Sequence, residues 1–221
     1  MKLKRIIYPL LVVFLLCTVH DAGAQNFIEE IRNFQKQDSL AFPPSNSILF
    51  VGSSSFRKWT DMQQYFPGYP VINRGFGGSS LPDVLRYAKD IITPYHAKQV
   101  VIYCGENDIA AADTITAEMV FKNFKSLYDT IRKNQPGVPL IYVSIKPSLL
   151  RWAMKDRMIT ANRLIKKFLL KHSGTRFVNV WDAMLGKDGK PLPDIFIEDR
   201  LHMNAKGYAI WQKLLTPYLL K

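Results

Sequence analysis

The chain holds 221 residues, 48% of them hydrophobic, enough to bury a sizeable core in one domain. Thirty Lys and Arg against 18 Asp and Glu give a formal net charge of +12, but the cations are spread along helices without interleaved aromatics, the pattern of a solvated surface and not of a nucleic-acid site. Its two cysteines are Cys17 and Cys104; if the first is lost with a leader, no intrachain disulfide is possible.

Residues 1–24 read as a cleavable signal peptide. Lys2, Lys4 and Arg5 precede an apolar run over 6–19, broken only by Pro9 and Thr18, and Ala22-Gly23-Ala24 places the cleavage after Ala24. The run is too short and wrongly flanked for a membrane span, and Leu15-Leu16 before Cys17 does not suit lipid modification. The rival reading is a retained N-terminal anchor. With cleavage, the mature chain is a single domain over 25–221, secreted or periplasmic, with no stable membrane span and a charge of about +10.

A short helix is expected over 27–37. Apolar, β-branched runs over 48–51, 71–72, 100–104, 140–145 and 177–181 do not alternate strictly, as in parallel strands buried on both faces. Between them, 81–95 opens a helix with Pro82 in its first turn. The stretch 116–133 puts Val120, Phe124, Leu127, Tyr128 and Ile131 on one face. In 151–171 the stripe is Ile159, Leu164, Ile165, Phe168 and Leu169. Asn204 can cap a last helix whose Tyr208, Trp211, Leu214, Leu215 and Tyr218 are core residues and not a ligand box. Strands alternating with helices predict an α/β fold: a three-layer α/β/α, doubly wound, flavodoxin-like parallel sheet of about five strands. Ligands bind such sheets outside the carboxyl ends of the strands.

Four short segments carry chemistry: Val51-Gly52-Ser53-Ser54-Ser55, Asn73-Arg74-Gly75-Phe76-Gly77-Gly78, Gly105-Glu106-Asn107-Asp108 and Asp199-Arg200-Leu201-His202. Ser54, Gly78 and Asn107 each follow a predicted strand and should meet at one sheet edge. A serine after a strand and a glycine can act as a nucleophile or merely cap a helix, and Ser53 and Ser55 offer the same hydroxyl. Asp199 and His202, three apart, share one face of a helical turn, so the carboxylate can orient the imidazole toward serine. His96 and His172 have no carboxylate within four residues. The Asn107 amide and the Gly78 N–H can serve an oxyanion hole, together with the Ser54 N–H. Metal-ligand spacing and a Gly-Lys-Ser/Thr phosphate loop are both missing, so no metal and no cofactor is expected.

In order, spacing and strand-end placement these segments resemble the blocks of the SGNH hydrolase superfamily, the GDSL-type esterases and lipases, over nearly all of the mature chain. The resemblance implies that Ser54 is the nucleophile, His202 the base and Asp199 its orienting acid, with Ser54, Gly78 and Asn107 as oxyanion donors. The family's Gly-Asp-Ser is Gly52-Ser53-Ser54 here, similar to a secreted bacterial Gly-Ser-Ser-Ser variant. The segment after the fourth strand should lie at the rim of the site, where Lys146, Arg151 and Trp152 would touch substrate. The activity implied is metal-free hydrolysis of a small-molecule or carbohydrate ester through an acyl-enzyme, with short acyl groups, acetyl among them. Two other functions fit the same segments: a non-catalytic glycan- or lipid-binding module, and an O-acyltransferase.

Overall fold

Five strands, β1 (Ile48–Gly52), β2 (Val71–Gly75), β3 (Gln99–Tyr103), β4 (Leu140–Val143) and β5 (Thr175–Val178), form one parallel sheet in the order β2-β1-β3-β4-β5. This computed structural model describes residues 25–221; the expected signal peptide, residues 1–24, lies outside the described residues. The register pairs Ile48 with Val71 on one side of β1 and with Gln99 on the other. The chain therefore reverses its direction of travel across the sheet at β1, and the crevice beyond that strand is where such folds bind ligands.

Helices cover both faces. Leu49, Val51, Val100, Ile102, Leu140 and Tyr142 pack against α1 (Gln25–Leu40), α4 (Leu81–Arg86), α5 (Ala88–Ile91), α7 (Ala117–Asn134) and α8 (Lys155–Leu169). The alternate residues Ile48, Phe50, Val101, Tyr103, Ile141 and Val143 pack against α2 (Ser54–Arg57), α3 (Met62–Tyr65) and α9 (Ala205–Leu215). Both faces of every central strand are thus buried, which is why β1 and β3 carry unbroken apolar runs. The second face is aromatic: Trp59 stacks on Tyr208 with centroids 4.7 Å apart, and Trp211 meets Tyr103 edge-on at 4.7 Å.

Several boundaries differ from the sequence expectation. β2 continues through Asn73-Arg74-Gly75, because Asn73 donates to the Phe56 carbonyl and Arg74 pairs with Asp38 and Tyr95. The helix expected over 81–95 breaks into α4, α5 and a 3₁₀ turn at Thr93–Tyr95, where Pro94 supplies no N–H to continue it. β5 starts at Thr175 and stops at Val178, since Asn179 turns back to accept from the Trp181 N–H. In α8 Ile165 and Leu169 are buried as expected, together with Met158 and Ala161, whereas Leu164 and Phe168 are half-buried and Ile159 is 44% exposed. Tyr218 likewise falls outside α9 and is 42% exposed.

The Asn204 cap is present. Its side-chain oxygen accepts from Lys206 N–H (2.9 Å) and Gly207 N–H (3.3 Å). Asn204→Ala is expected to cost about 1 kcal/mol in a denaturant melt, the usual loss for such a cap.

Two glycines aim the chain at the sheet edge. Gly52 has φ +143, and a Cβ there would lie 1.8 Å from the Tyr103 carbonyl oxygen, so β1 can turn into α2 only with glycine. Gly105, at φ +115, does the same between β3 and α6 (Glu106–Ala111).

Candidate active site

The turn at Gly52 leaves Ser54 half-buried at the start of α2, and its Oγ lies 2.8 Å from His202 Nε2. The other ring nitrogen, Nδ1, is 2.5 Å from Asp199 Oδ2. Ser53 and Ser55 are both buried, and the Ser55 carbonyl accepts from Tyr208. Of the three serines, Ser54 is the one joined to the histidine.

Asp199 and His202 do not sit on a helix. They lie in a turn closed by the Phe196–Met203 bridge, and Arg200 adopts φ 58 to make it. Asp199 Oδ1 accepts from Leu201 N–H (3.0 Å) and His202 N–H (2.8 Å), which leaves Oδ2 for the ring. Three-residue spacing brings the pair together through this side-chain-to-backbone turn instead of a helical face. Burial works against the Asp199 carboxylate, but the His202 ring and the backbone N–H groups of His202 and Leu201 outweigh it and hold the carboxyl down at about 2.

A carboxyl depressed in this way stabilises the fold above the unfolded-chain value of about 4, and that contribution is lost as pH falls toward 2. Asp199→Asn is therefore expected to flatten the stability-against-pH curve between pH 4 and 2, read by denaturant melts at stepped pH.

Gly78 and Asn107 lie at the same sheet edge, in the segments that follow β2 and β3. Gly78 is exposed, and a Cβ placed on it would sit 3.9 Å from Asn107 Nδ2. Asn107, half-buried near the start of α6, donates from Nδ2 to the Ser79 carbonyl at 3.0 Å. Ser79 Oγ in turn donates to the Gly52 carbonyl at 3.1 Å. The segments after β1, β2 and β3 are thereby hydrogen-bonded into one wall. A serine joined to a histidine that is oriented by a carboxylate is equipped for acyl transfer.

The sequence profile of the GDSL-like lipase/acylhydrolase family matches residues 38–210. The chain belongs to that family. It is a carboxylic ester hydrolase on an SGNH fold. Among curated proteins none matches it. Among solved structures it is similar to a candidate platelet activating factor from Streptococcus pneumonia (18% identity, 89% of this chain and 94% of that one, TM-score 0.78). It is also similar to a GDSL-like lipase from Bacteroides thetaiotaomicron (21%, 85% and 95%, TM-score 0.71). A third is a catalytic mutant of an acetylxylan esterase from Geobacillus stearothermophilus (15%, 81% and 96%, TM-score 0.64).

In this GDSL-type hydrolase the segment after β4 is not the open rim that the sequence suggested. Lys146 is fully buried, with Nζ 2.8 Å from Glu106 Oε2, which corrects its assignment as a substrate contact. Glu106 also accepts from Tyr103 (2.6 Å) and Ser148 (3.3 Å), and Arg151 stands 3.6 Å away. Burial pushes the Glu106 carboxyl up, but Lys146 and then Arg151 outweigh that and hold it below the ordinary carboxylate range. The Lys146 ammonium is drawn down by its own burial against the pull of Glu106. Two cations share one carboxylate here. Arg151 Nη1 donates to Asn107 Oδ1 at 2.9 Å, and Leu150 N–H donates to the Arg200 carbonyl at 3.1 Å. One loop thus buttresses the Asn107 side and the His202 side together. Trp152 is half-buried, stacked on Trp181 with Lys155 over its ring.

Helix α1 was foreseen as a helix but not as part of the site. Glu30 accepts from Gly77 N–H (3.1 Å) and pairs with Arg57 of α2 (2.7 Å), while Phe27 packs edge-on against Phe76. Gly77 lies 47 residues beyond Glu30, so no local pattern could have announced the contact.

Proposed function

We propose that this hydrolase is a serine esterase that removes short acyl groups, with acetyl groups on carbohydrates as its substrate class. The observation that carries the mechanism is the continuous hydrogen-bonded line from Ser54 Oγ through His202 to Asp199, at 2.8 and 2.5 Å. Ser54 attacks the ester carbonyl as His202 Nε2 takes its proton, and Asp199 holds the ring tautomer and steadies the imidazolium. The oxyanion is received by the N–H groups of Ser54 and Gly78 and by Asn107 Nδ2. His202 returns the proton to the leaving alcohol. A water activated by the same nitrogen then releases the acid and restores Ser54. The choice of acetyl sugar esters draws on the family and on the acetylxylan esterase among its structural neighbours. Export rests on residues 1–24 reading as a signal peptide.

The test is a phosphonate probe with mass-spectrometric mapping, beside a screen of acetylated sugars, aryl acetates and lysophospholipids. Label on Ser54 and release of acetate are expected. Folded protein that takes no label would overturn the reading in favour of a binding module, and transfer of acetyl to added sugar in place of water would mark a transferase. Asn107→Ala is expected to lower kcat by about 10²- to 10³-fold with KM little changed, as for loss of one oxyanion donor.

A further inference from the structure

We propose that Arg151 is a positioning residue for the oxyanion hole: its guanidinium fixes and polarises the Asn107 amide so that one Nδ2–H faces the reacting carbonyl. The proposal rests on the esterase reading above and assigns Arg151 a task other than substrate contact.

Asn107 has two ends that must be told apart. Its Nδ2 lies 3.0 Å from the Ser79 carbonyl and its Oδ1 lies 2.9 Å from Arg151 Nη1. A flipped amide would set two acceptors together at Ser79 and two donors together at Arg151, so each contact excludes the wrong orientation. With one Nδ2–H spent on Ser79, the other is available on the side of Gly78, whose hypothetical Cβ is 3.9 Å from Nδ2. Either contact alone would favour that orientation; the pair holds the amide at both ends.

The charge adds a second effect. A hydrogen bond from a guanidinium to an amide oxygen draws electron density toward that oxygen and strengthens the same amide's N–H donors. The benefit is largest when negative charge develops on the substrate oxygen, so it belongs to the transition state and not to substrate binding.

Arg151 is itself held for this purpose. Its side chain is 17% exposed and lies 3.6 Å from Glu106 Oε1, in the cluster that buries Lys146. The neighbouring Leu150 is tied to Arg200 in the turn that carries Asp199 and His202. A fork so anchored can aim at Asn107 without losing side-chain freedom at each turnover.

The test is a double-mutant cycle on p-nitrophenyl acetate, with melting temperature recorded for each variant. Arg151→Met is expected to lower kcat about 10- to 100-fold with KM little changed, and Arg151→Lys, whose ammonium can still donate to Oδ1, to recover at least half of that loss on a logarithmic scale. The Arg151→Met/Asn107→Ala double variant should be no slower than Asn107→Ala alone. Losses that multiply, or a raised KM with unchanged kcat, would overturn the proposal and return Arg151 to direct substrate contact. An Asn107→Ala variant as fast as the parent would instead sink the oxyanion reading of Asn107, and this proposal with it. If Arg151→Met does not fold, the same cycle run with Arg151→Lys must still show non-multiplying losses.

Discussion

Ser54→Ala is expected to lower kcat on p-nitrophenyl acetate by about 10⁴- to 10⁶-fold, the scale on which serine hydrolases lose rate without their nucleophile. The structure gives a reason to expect a loss of rate without a loss of fold. Ser54 Oγ touches His202 Nε2, whereas the backbone around it is held by Gly52, by Ser53 N–H on the Tyr103 carbonyl and by Tyr208 on the Ser55 carbonyl. The melting temperature should stay within a degree or two of the parent's. His202→Ala should lose a similar factor, and the double variant little more, because the two groups act as one unit. A Ser54→Ala variant that turns over undiminished would remove the acyl-enzyme mechanism altogether.

Glu106→Gln is expected to cost about 3–5 kcal/mol of stability. It leaves Lys146 fully buried with no carboxylate to answer it. For a domain of this size the melting temperature should fall by roughly 10 °C. Replacing both partners, Glu106→Leu with Lys146→Met, should recover much of the stability, since a buried pair is often replaceable by apolar groups of similar shape. Activity should not recover with it, because Arg151 also leans on Glu106. A Glu106→Gln protein that melts with the parent would show that the cluster does not hold the loop after β4.

What the sequence disclosed and what it hid divide along a physical line. Ser54, Gly78 and Asn107 were legible because each follows an apolar run, and parallel strands deliver their carboxyl ends to one edge. Asp199 and His202 were legible because three residues separate them, although the turn at Arg200 and not a helix brings them together. Lys146 was misread because it was placed by its position after the fourth strand, and its carboxylate stands 40 residues upstream. Helix 81–95 was drawn too long because its apolar period continues past the break at Tyr87 and the 3₁₀ turn at Pro94. Glu30 and Arg151 share the reason: each acts through a contact with a segment more than 40 residues away along the chain.

Helix α1 bears on where this enzyme can be cut. The family match spans 38–210, so a fragment trimmed to those limits would begin at the carboxylate that pairs with Arg74 and discard the turns before it. It would leave Gly77 N–H without Glu30, Arg57 without its ion pair and Phe76 bare on the side that Phe27 covers. Such a fragment would keep Ser54, Asp199 and His202 and still lack the outer brace of the loop that carries Gly78. For this chain the contacts that brace the Gly78 loop start upstream of the boundary that similarity draws, so expression or grafting schemes should carry the whole helix.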